Sequence, residues 1–323
     1  MSVPEFNALV LAAGQGTRMK SSLPKVLHEA AGKTLVEHVL AALEPLSPAR
    51  TVVVVGHGAA AVKESLAGRP VEFALQEQQL GTGHALMTTA ALLEPLDAPL
   101  LVLAADGPLI TSMTLAGLLA SRAGSRPGMS VLTAIVDDPT GLGRIVRRAD
   151  GRIAAIVEHK DADAAQREIR EINTGILAFD KSAYDFGREL RSDNAAGEYY
   201  ITDLVESYLA AGLEVDAVVA DDPQEALAVN DRAQLAVVTR VLLDRSRRAR
   251  MLAGVTMLAP ETTFVDDTVS LGRDVIIEPG VILRGATSVE DGCRIGAYSV
   301  LDDCRVSAGT RVAAHTVASG QHI

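Results

Sequence analysis

Tryptophan is absent from this 323-residue chain, and aromatic residues make up only 3% of it. Hydrophobic residues reach 48%, so the interior must be built from aliphatic side chains. Two cysteines occur, Cys293 and Cys304. That excludes a disulfide framework and the paired spacings of a zinc site; buried thiols in a reducing compartment fit better. Positive charge is in deficit: 30 lysines and arginines against 41 acidic residues leave a net charge of −11. General nucleic-acid binding is disfavoured, although local cations can still hold a triphosphate. No apolar stretch is long enough to span a bilayer, and no basic segment followed by an apolar run opens the chain as a secretory signal does. A cytoplasmic protein of more than one domain is expected.

The most informative stretch runs from Asn7 to Lys25. Ala8 to Ala13 is short, small and apolar, as in a strand buried on both faces of a parallel sheet. Gly14 and Gly16 follow, then Arg18 and Lys25. Backbone amides converging in a glycine turn form an anion cradle, and the two cations strengthen a phosphate reading. The run is not a Walker P-loop, because no glycine precedes Lys25 and no Ser or Thr follows it. It is not a dinucleotide fingerprint either, since Met19 stands where the third glycine belongs. A bare G-x-G after a strand is more often a plain turn. The longer string G-x-G-T-R-M-x4-P-K is far more specific, and it resembles the signature of sugar-1-phosphate nucleotidylyltransferases.

Leu35 to Leu43 has helical apolar spacing, ended by Pro45 and Pro48. Thr51–Val55, Val71–Leu75 and Leu100–Ala105 read as further strands. Strands alternating with helices predict a doubly wound α/β sheet, with ligands outside the carboxyl ends of its strands. Gly14 and Asp106 both fall just past such ends. A carboxylate there suits a hard divalent cation shared with phosphate, though alone it reads as a turn or cap residue. Gln76 and Gln79 in the Gln76–Ala85 loop could read the edge of a base. His57 and His84 read as structural.

The motifs LAAGQGTRM, PKVLH, QLGTGHA, DDPTGLGRI, VEHKDA, EINTGI and GEYYITD look like the uridylyltransferase domain of bacterial N-acetylglucosamine-1-phosphate uridylyltransferases. That family also carries a glucosamine-1-phosphate acetyltransferase on the same chain. The resemblance covers roughly residues 7–320. It implies transfer of the uridylyl group of UTP to N-acetylglucosamine 1-phosphate, releasing pyrophosphate. It implies Arg18 and Lys25 as catalytic cations. For the nucleotide it implies Leu11, Ala13, Gly14, Gly16, Lys25, Gln76, Gly81 and Thr82. For the sugar it implies Gly143, Glu158, Asn173 and Thr202. Asp106 and Asn230 would hold Mg²⁺, with Mn²⁺ suited by the same oxygen ligands. Ala104 and Ala105 depart from the family's pattern, and Ala105 is expected to set a Cβ near the substrate phosphate. Two other readings stay open: a nucleotidylyltransferase for another sugar 1-phosphate, and a catalytically silent oligomeric scaffold.

The domains implied are 1–230 for nucleotidyl transfer, a connecting helix over 231–252, and 253–323. The helix carries an apolar stripe of Leu235, Val238, Val241 and Leu242. Arg245, Arg247, Arg248 and Arg250 near its end are expected to form a solvated face. In the last segment Val265, Leu271, Ile277, Leu283, Val289, Ile295 and Leu301 are spaced by six. The phase slips by one after Leu301, and Val306, Val312 and Ala318 resume it. A hexapeptide β-helix has this period. In the resembled family it is left-handed and trimerises, so a homotrimer is expected. About three coils are present at three hexapeptides per coil. The family's acetyl-coenzyme A site lies in later coils, so the acetyltransferase is predicted absent.

Overall fold

The computed structural model of the protein describes residues 4–94, 98–124 and 127–323. It divides into two compact units. One comprises Met1–His28 and Leu35–Asp231, the other Glu29–Thr34 and Arg232–Ile323. Residues 29–34, assigned from the sequence to the first domain, therefore belong with the second unit. There the Asp267 N–H donates to the Ala31 carbonyl (2.9 Å) and Lys33 pairs with Asp267 (3.5 Å).

In chain order the strands up to residue 219 are β1 (Asn7–Ala12), β2 (Glu29–Ala30), β3 (Lys33–Thr34), β4 (Arg50–Val55), β5 (Glu72–Leu75), β6 (Leu100–Ala104), β7 (Pro127–Ile135), β8 (Arg144–Arg147), β9 (Ile153–Val157), β10 (Glu171–Phe179) and β11 (Glu214–Val219). Strands β2 and β3 form the small antiparallel hairpin of the second unit. The others build one sheet in the order β11-β7-β10-β6-β1-β4-β5, with β8 paired to β10 and to β9.

Strand β1 is parallel to both β4 and β6, which puts it at the point where the winding reverses. Its side chains alternate between two aliphatic cores: Ala8, Val10 and Ala12 join one, Leu9 and Ala13 the other. Burial on both faces is why the strand is apolar without alternation. The sheet is wound to both sides of β1, as expected, and is mixed in strand direction. Strand β10 runs antiparallel between β6 and β7. A register shift between Asn173 and Leu177, with Gly175 at φ +79°, interrupts its pattern, so only the run to Phe179 is visible in the sequence.

In the second unit, parallel strands recur in three sheets. Val265 pairs with Leu283, Leu271 with Val289 and Ile277 with Ile295, each eighteen residues on. Val289 pairs with Val306, Ile295 with Val312 and Leu301 with Ala318, seventeen residues on, which is the one-residue phase slip. The sequence pattern missed a second inward series two residues earlier: Thr263, Val269, Val275, Val281, Thr287, Cys293 and Ser299, then Cys304 after the slip, all buried. Mixed small, polar and aliphatic residues hide this series from a search for hydrophobic periodicity. It also explains the two cysteines, which fill small inward positions as free buried thiols.

The helix Arg232–Leu252 buries Val238, Val241, Leu242 and Leu243. Two of its arginines are not on a solvated face. Arg247 is 6% exposed and donates to the carbonyls of Pro260 and Thr263. Arg250 donates to those of Val265, Asp266 and Val269. They satisfy carbonyls on the first coil, the place where a repeat stack needs a cap. Arg247→Met should therefore lower the free energy of unfolding by about 1–3 kcal/mol, the cost of orphaning buried acceptors. The exposed Arg248→Met should leave it nearly unchanged. Equal denaturation midpoints for the two variants would show that the cap carries no stability.

Candidate active site

A cleft of about 510 Å³ opens at the carboxyl ends of β1 and β6. Leu11, Ala12, Ala13, Gly14, Gln15 and Lys25 line one wall. Gln76, Gln79, Gly81, Thr82, Ala85 and Glu198 line another, with Ala104 and Asp106 between. The register sets this up: Leu11 lies opposite Ala104, and the Ala105 N–H donates to the Leu11 carbonyl (3.0 Å). Gly14 and Asp106 thus leave the sheet side by side.

Lys25 and Asp106 form an ion pair at this end, both side chains mostly buried. The Lys25 ammonium also donates to the Asn230 Oδ1 (3.3 Å), and Arg18 donates to the same oxygen (2.8 Å). Asn230 reaches this point because the Val229 N–H donates to the Asp106 carbonyl (2.8 Å). Two cations and two side-chain oxygens, far apart in the chain, meet within hydrogen-bonding distance. Gly16 acts indirectly and is not among the cleft-lining residues: it adopts φ +61°, and a Cβ there would stand 2.6 Å from the Lys25 Cβ. The turn must be glycine for Lys25 to lie across it. Arg18 and Asn230 likewise stand beside the cleft, joined to Lys25, and do not line it.

At the opposite end Gln76 is buried. Its amide donates to the Gly81 carbonyl (3.0 Å) and meets His84 Nδ1 at 3.1 Å. His84 is thus a structural partner that orients Gln76. Gln15 and Gln79 bond to each other across the mouth (3.1 Å). Gly81 sits at φ +111°, and a Cβ there would strike the Tyr199 backbone at 2.5 Å. The loop carrying Tyr199 is held by Tyr199 N–H to Leu80 O (2.8 Å), Gly83 N–H to Tyr199 O (2.7 Å) and Ile201 N–H to Thr82 Oγ1 (3.0 Å).

That loop leads to a second cluster. The Thr202 hydroxyl donates to Glu158 (3.3 Å), and a Cβ on Gly143 would stand 3.3 Å from the same carboxylate. The Asn173 N–H donates to the Gly143 carbonyl (2.9 Å). Gly143, Glu158, Asn173 and Thr202 are thereby brought together, apart from the residues lining the cleft. The next residue after Gly143, Arg144, is buried and tied to the segments around it. It is 1% exposed, donates to the Leu142 carbonyl, and approaches His159 Nδ1 (3.3 Å) and the Arg167 carbonyl (3.4 Å). Carboxylates crowd this region. Burial pushes Glu158 above the usual carboxylate range against its bond from Thr202, and Asp161 and Glu198 add to the rise. Burial, then Glu206, Glu158 and Asp161, pushes Asp203 up to about 6.

One expectation is overturned. Ala105 is fully buried in the core and does not line the cleft, whereas Ala104 does. The strand's alternation decides this. Glu198 was not singled out from the sequence, though it lies inside the GEYYITD motif. Among the described residues no three His, Cys, Asp or Glu side chains gather as a metal cluster. No helix among them is long and apolar enough to cross a membrane.

A model of the MobA-like NTP transferase domain matches residues 8–172. The chain is 47% identical over 315 residues to the bifunctional protein GlmU of Thermus thermophilus, covering 98% of this chain and 69% of that protein. It is 48% identical over 320 residues to the GlmU of Streptomyces coelicolor, covering 98% of this chain and 66% of that one. Against the GlmU of Geobacillus thermodenitrificans the identity is 46% over 292 residues, 90% of this chain and 63% of the relative.

The raised Asp203 carboxyl gives a signed pH dependence. An unfolded aspartate titrates near pH 4, so between about pH 4 and about 6 the folded state holds a proton that the unfolded state has lost. Stability from this group therefore falls as pH rises through that window. Asp203→Asn should match the parent at the acid end and exceed it in urea midpoint from neutrality upward. A gap that does not change with pH would reject the assignment.

Proposed function

From the family to which the chain belongs, that of the bifunctional GlmU proteins, we propose how its site works. The activity is that of a UDP-N-acetylglucosamine pyrophosphorylase: UTP and N-acetylglucosamine 1-phosphate give UDP-N-acetylglucosamine and pyrophosphate. The observation that carries the mechanism is the meeting of Arg18, Lys25, Asp106 and Asn230 at one end of the cleft.

Enzymes of this type use a divalent metal. The residues fit one. Oxygens of Asp106 and Asn230 both reach the Lys25 ammonium, so they already converge on a positive charge. Two hard oxygen donors, completed by phosphate and water, suit Mg²⁺, and Mn²⁺ accepts the same set. When bound, the ion neutralises charge on the phosphate oxygens.

The protein's own part is positioning and charge. The sugar phosphate is already anionic at neutral pH, so its oxygen attacks the α-phosphorus of UTP in line without a protein base. The new P–O bond forms as the bond to pyrophosphate breaks. Lys25 and Arg18 donate hydrogen bonds to the phosphates and stabilise the charge that builds on the departing pyrophosphate. Leu11, Ala13, Gly14, Gln76, Gly81 and Thr82 receive the nucleoside, and Gly16 lets Lys25 take its place. Gly143, Glu158, Asn173 and Thr202 receive the N-acetylglucosamine.

We propose further that the second unit is a left-handed hexapeptide β-helix that assembles as a homotrimer. Support comes from its outward residues. On one sheet the outward row that precedes the inward residues is Phe264, Ile282, Val300 and Val317, all apolar, while the row that follows them is Arg284, Asp302 and Ser319; on another sheet the preceding row is Ser270, Ser288 and Arg305. Val317 is 77% exposed in the single chain. Val317→Asp should shift the sedimentation coefficient toward monomer, and a monomeric parent sinks the trimer. A cytoplasmic setting suits the two free thiols.

Pyrophosphate release from UTP tests the function, comparing N-acetylglucosamine 1-phosphate with glucose 1-phosphate and glucosamine 1-phosphate. Preference for the first is expected. Preference for another sugar would move the specificity and keep the chemistry, and no release with any of them would favour the silent scaffold. Arg18→Ala should lower turnover about 10²–10³-fold, the scale for one preorganised donor. Turnover within a few-fold of the parent would remove Arg18 from the mechanism.

A further inference from the structure

Glu225 lies outside every motif discussed so far, yet it is a buried carboxylate, 7% exposed. It sits in the short turn Pro223–Ala226. Its Oε2 accepts the Thr111 N–H (3.0 Å), and its Oε1 accepts the Thr114 hydroxyl (3.0 Å). The Thr111 hydroxyl lies at 3.3–3.4 Å from both oxygens. These donors belong to the start of the helix Ser112–Gly124, where a negative charge is also favoured by the helix dipole. Burying a carboxylate is costly without such donors, so the contact fixes the turn firmly against the helix start.

The placement along the chain gives this contact its meaning. Thr111 follows Asp106 by five residues, and Asn230 follows Glu225 by five. The Val229 N–H to Asp106 carbonyl bond closes the same two segments at their other end. The segments that carry the two oxygen donors are thus cross-linked twice, once beside the donors and once through Glu225.

We propose that Glu225 is a positioning residue for divalent-metal binding, which holds Asn230 at the distance from Asp106 that the ion requires. The inference rests on the reading of Asp106 and Asn230 as metal ligands. Glu225 itself touches neither substrate nor metal. Supporting residues of this kind typically alter metal affinity about 10- to 100-fold when changed.

The test measures Mn²⁺ binding to the full chain by electron paramagnetic resonance, with UTP present, for the parent and for Glu225→Gln, Thr114→Val and Asp106→Asn. Glu225→Gln should weaken Mn²⁺ binding about 10-fold and leave the KM for N-acetylglucosamine 1-phosphate unchanged. Thr114→Val removes one donor and should act in the same direction with smaller size; it decides the matter if Glu225→Gln does not fold. A purely structural brace would lower the melting temperature without moving Mn²⁺ affinity. Unchanged affinity in both variants, with Asp106→Asn weakened, therefore overturns the proposal. Unchanged affinity in Asp106→Asn overturns the metal reading, and this inference with it.

Discussion

The Lys25–Asp106 ion pair is the contact on which the chemistry proposed for the first unit depends. Asp106 leaves the end of β6, Lys25 opens the short turn Lys25–Leu27, and each mostly buried charge has the other as its partner. Their pairing requires Gly16, whose left-handed turn leaves room for the Lys25 side chain. It requires β1 and β6 to be neighbours in the sheet. It also creates a place where positive charge, carboxylate and amide oxygen already balance. In the function proposed, a triphosphate with its metal would exchange one such balance for another, which is electrostatic preorganisation in the plain sense.

The cluster proposed to receive the sugar solves a different problem. Hydroxyls and an amide need paired donors and acceptors in a fixed array. The backbone of β8, β9 and β10, with the loop after Tyr200, supplies the array, and Arg144 in β8 is buried. Glu158 and Asp203 are partly desolvated, and neighbouring carboxylates, Asp161 and Glu198 beside the first and Glu206, Glu158 and Asp161 beside the second, push them further in the same direction. The cost is a pH-sensitive local stability. In the function proposed, what is gained is a set of acceptors held in place before the sugar arrives.

The second unit obeys a simpler rule. Each coil buries its aliphatic residues only against the next coil, so the first coil has exposed carbonyls and no neighbour. Arg247 and Arg250 meet that need from the helix Arg232–Leu252. A long guanidinium can reach several carbonyls at once while its stem packs on apolar surface. An arginine cluster at a helix end therefore serves packing here.

Some of this could be read directly from the order of residues. Strand β1, the glycine turn after it and the cations at 18 and 25 are local, and steric and hydrophobic rules act on neighbours in the chain. The sixfold aliphatic repeat and its slip after Leu301 were equally legible, because every coil repeats the same burial. Other features depend on distance in the fold. The antiparallel β10 was hidden by its bulge at Gly175. The burial of Ala105 depended on where the strand's alternation fell. The inward Thr, Cys and Ser series carried no hydrophobic period. Above all, the sequence named Asp106 and Asn230 as candidates but could not show what joins them. Two hydrogen-bonded links, from Val229 and from Glu225, do so across more than a hundred residues. Local chemistry was legible in the order of residues because it follows from residue type and spacing. Which of those groups share one charge balance is a matter of distance in space, and so it was settled by the folded chain.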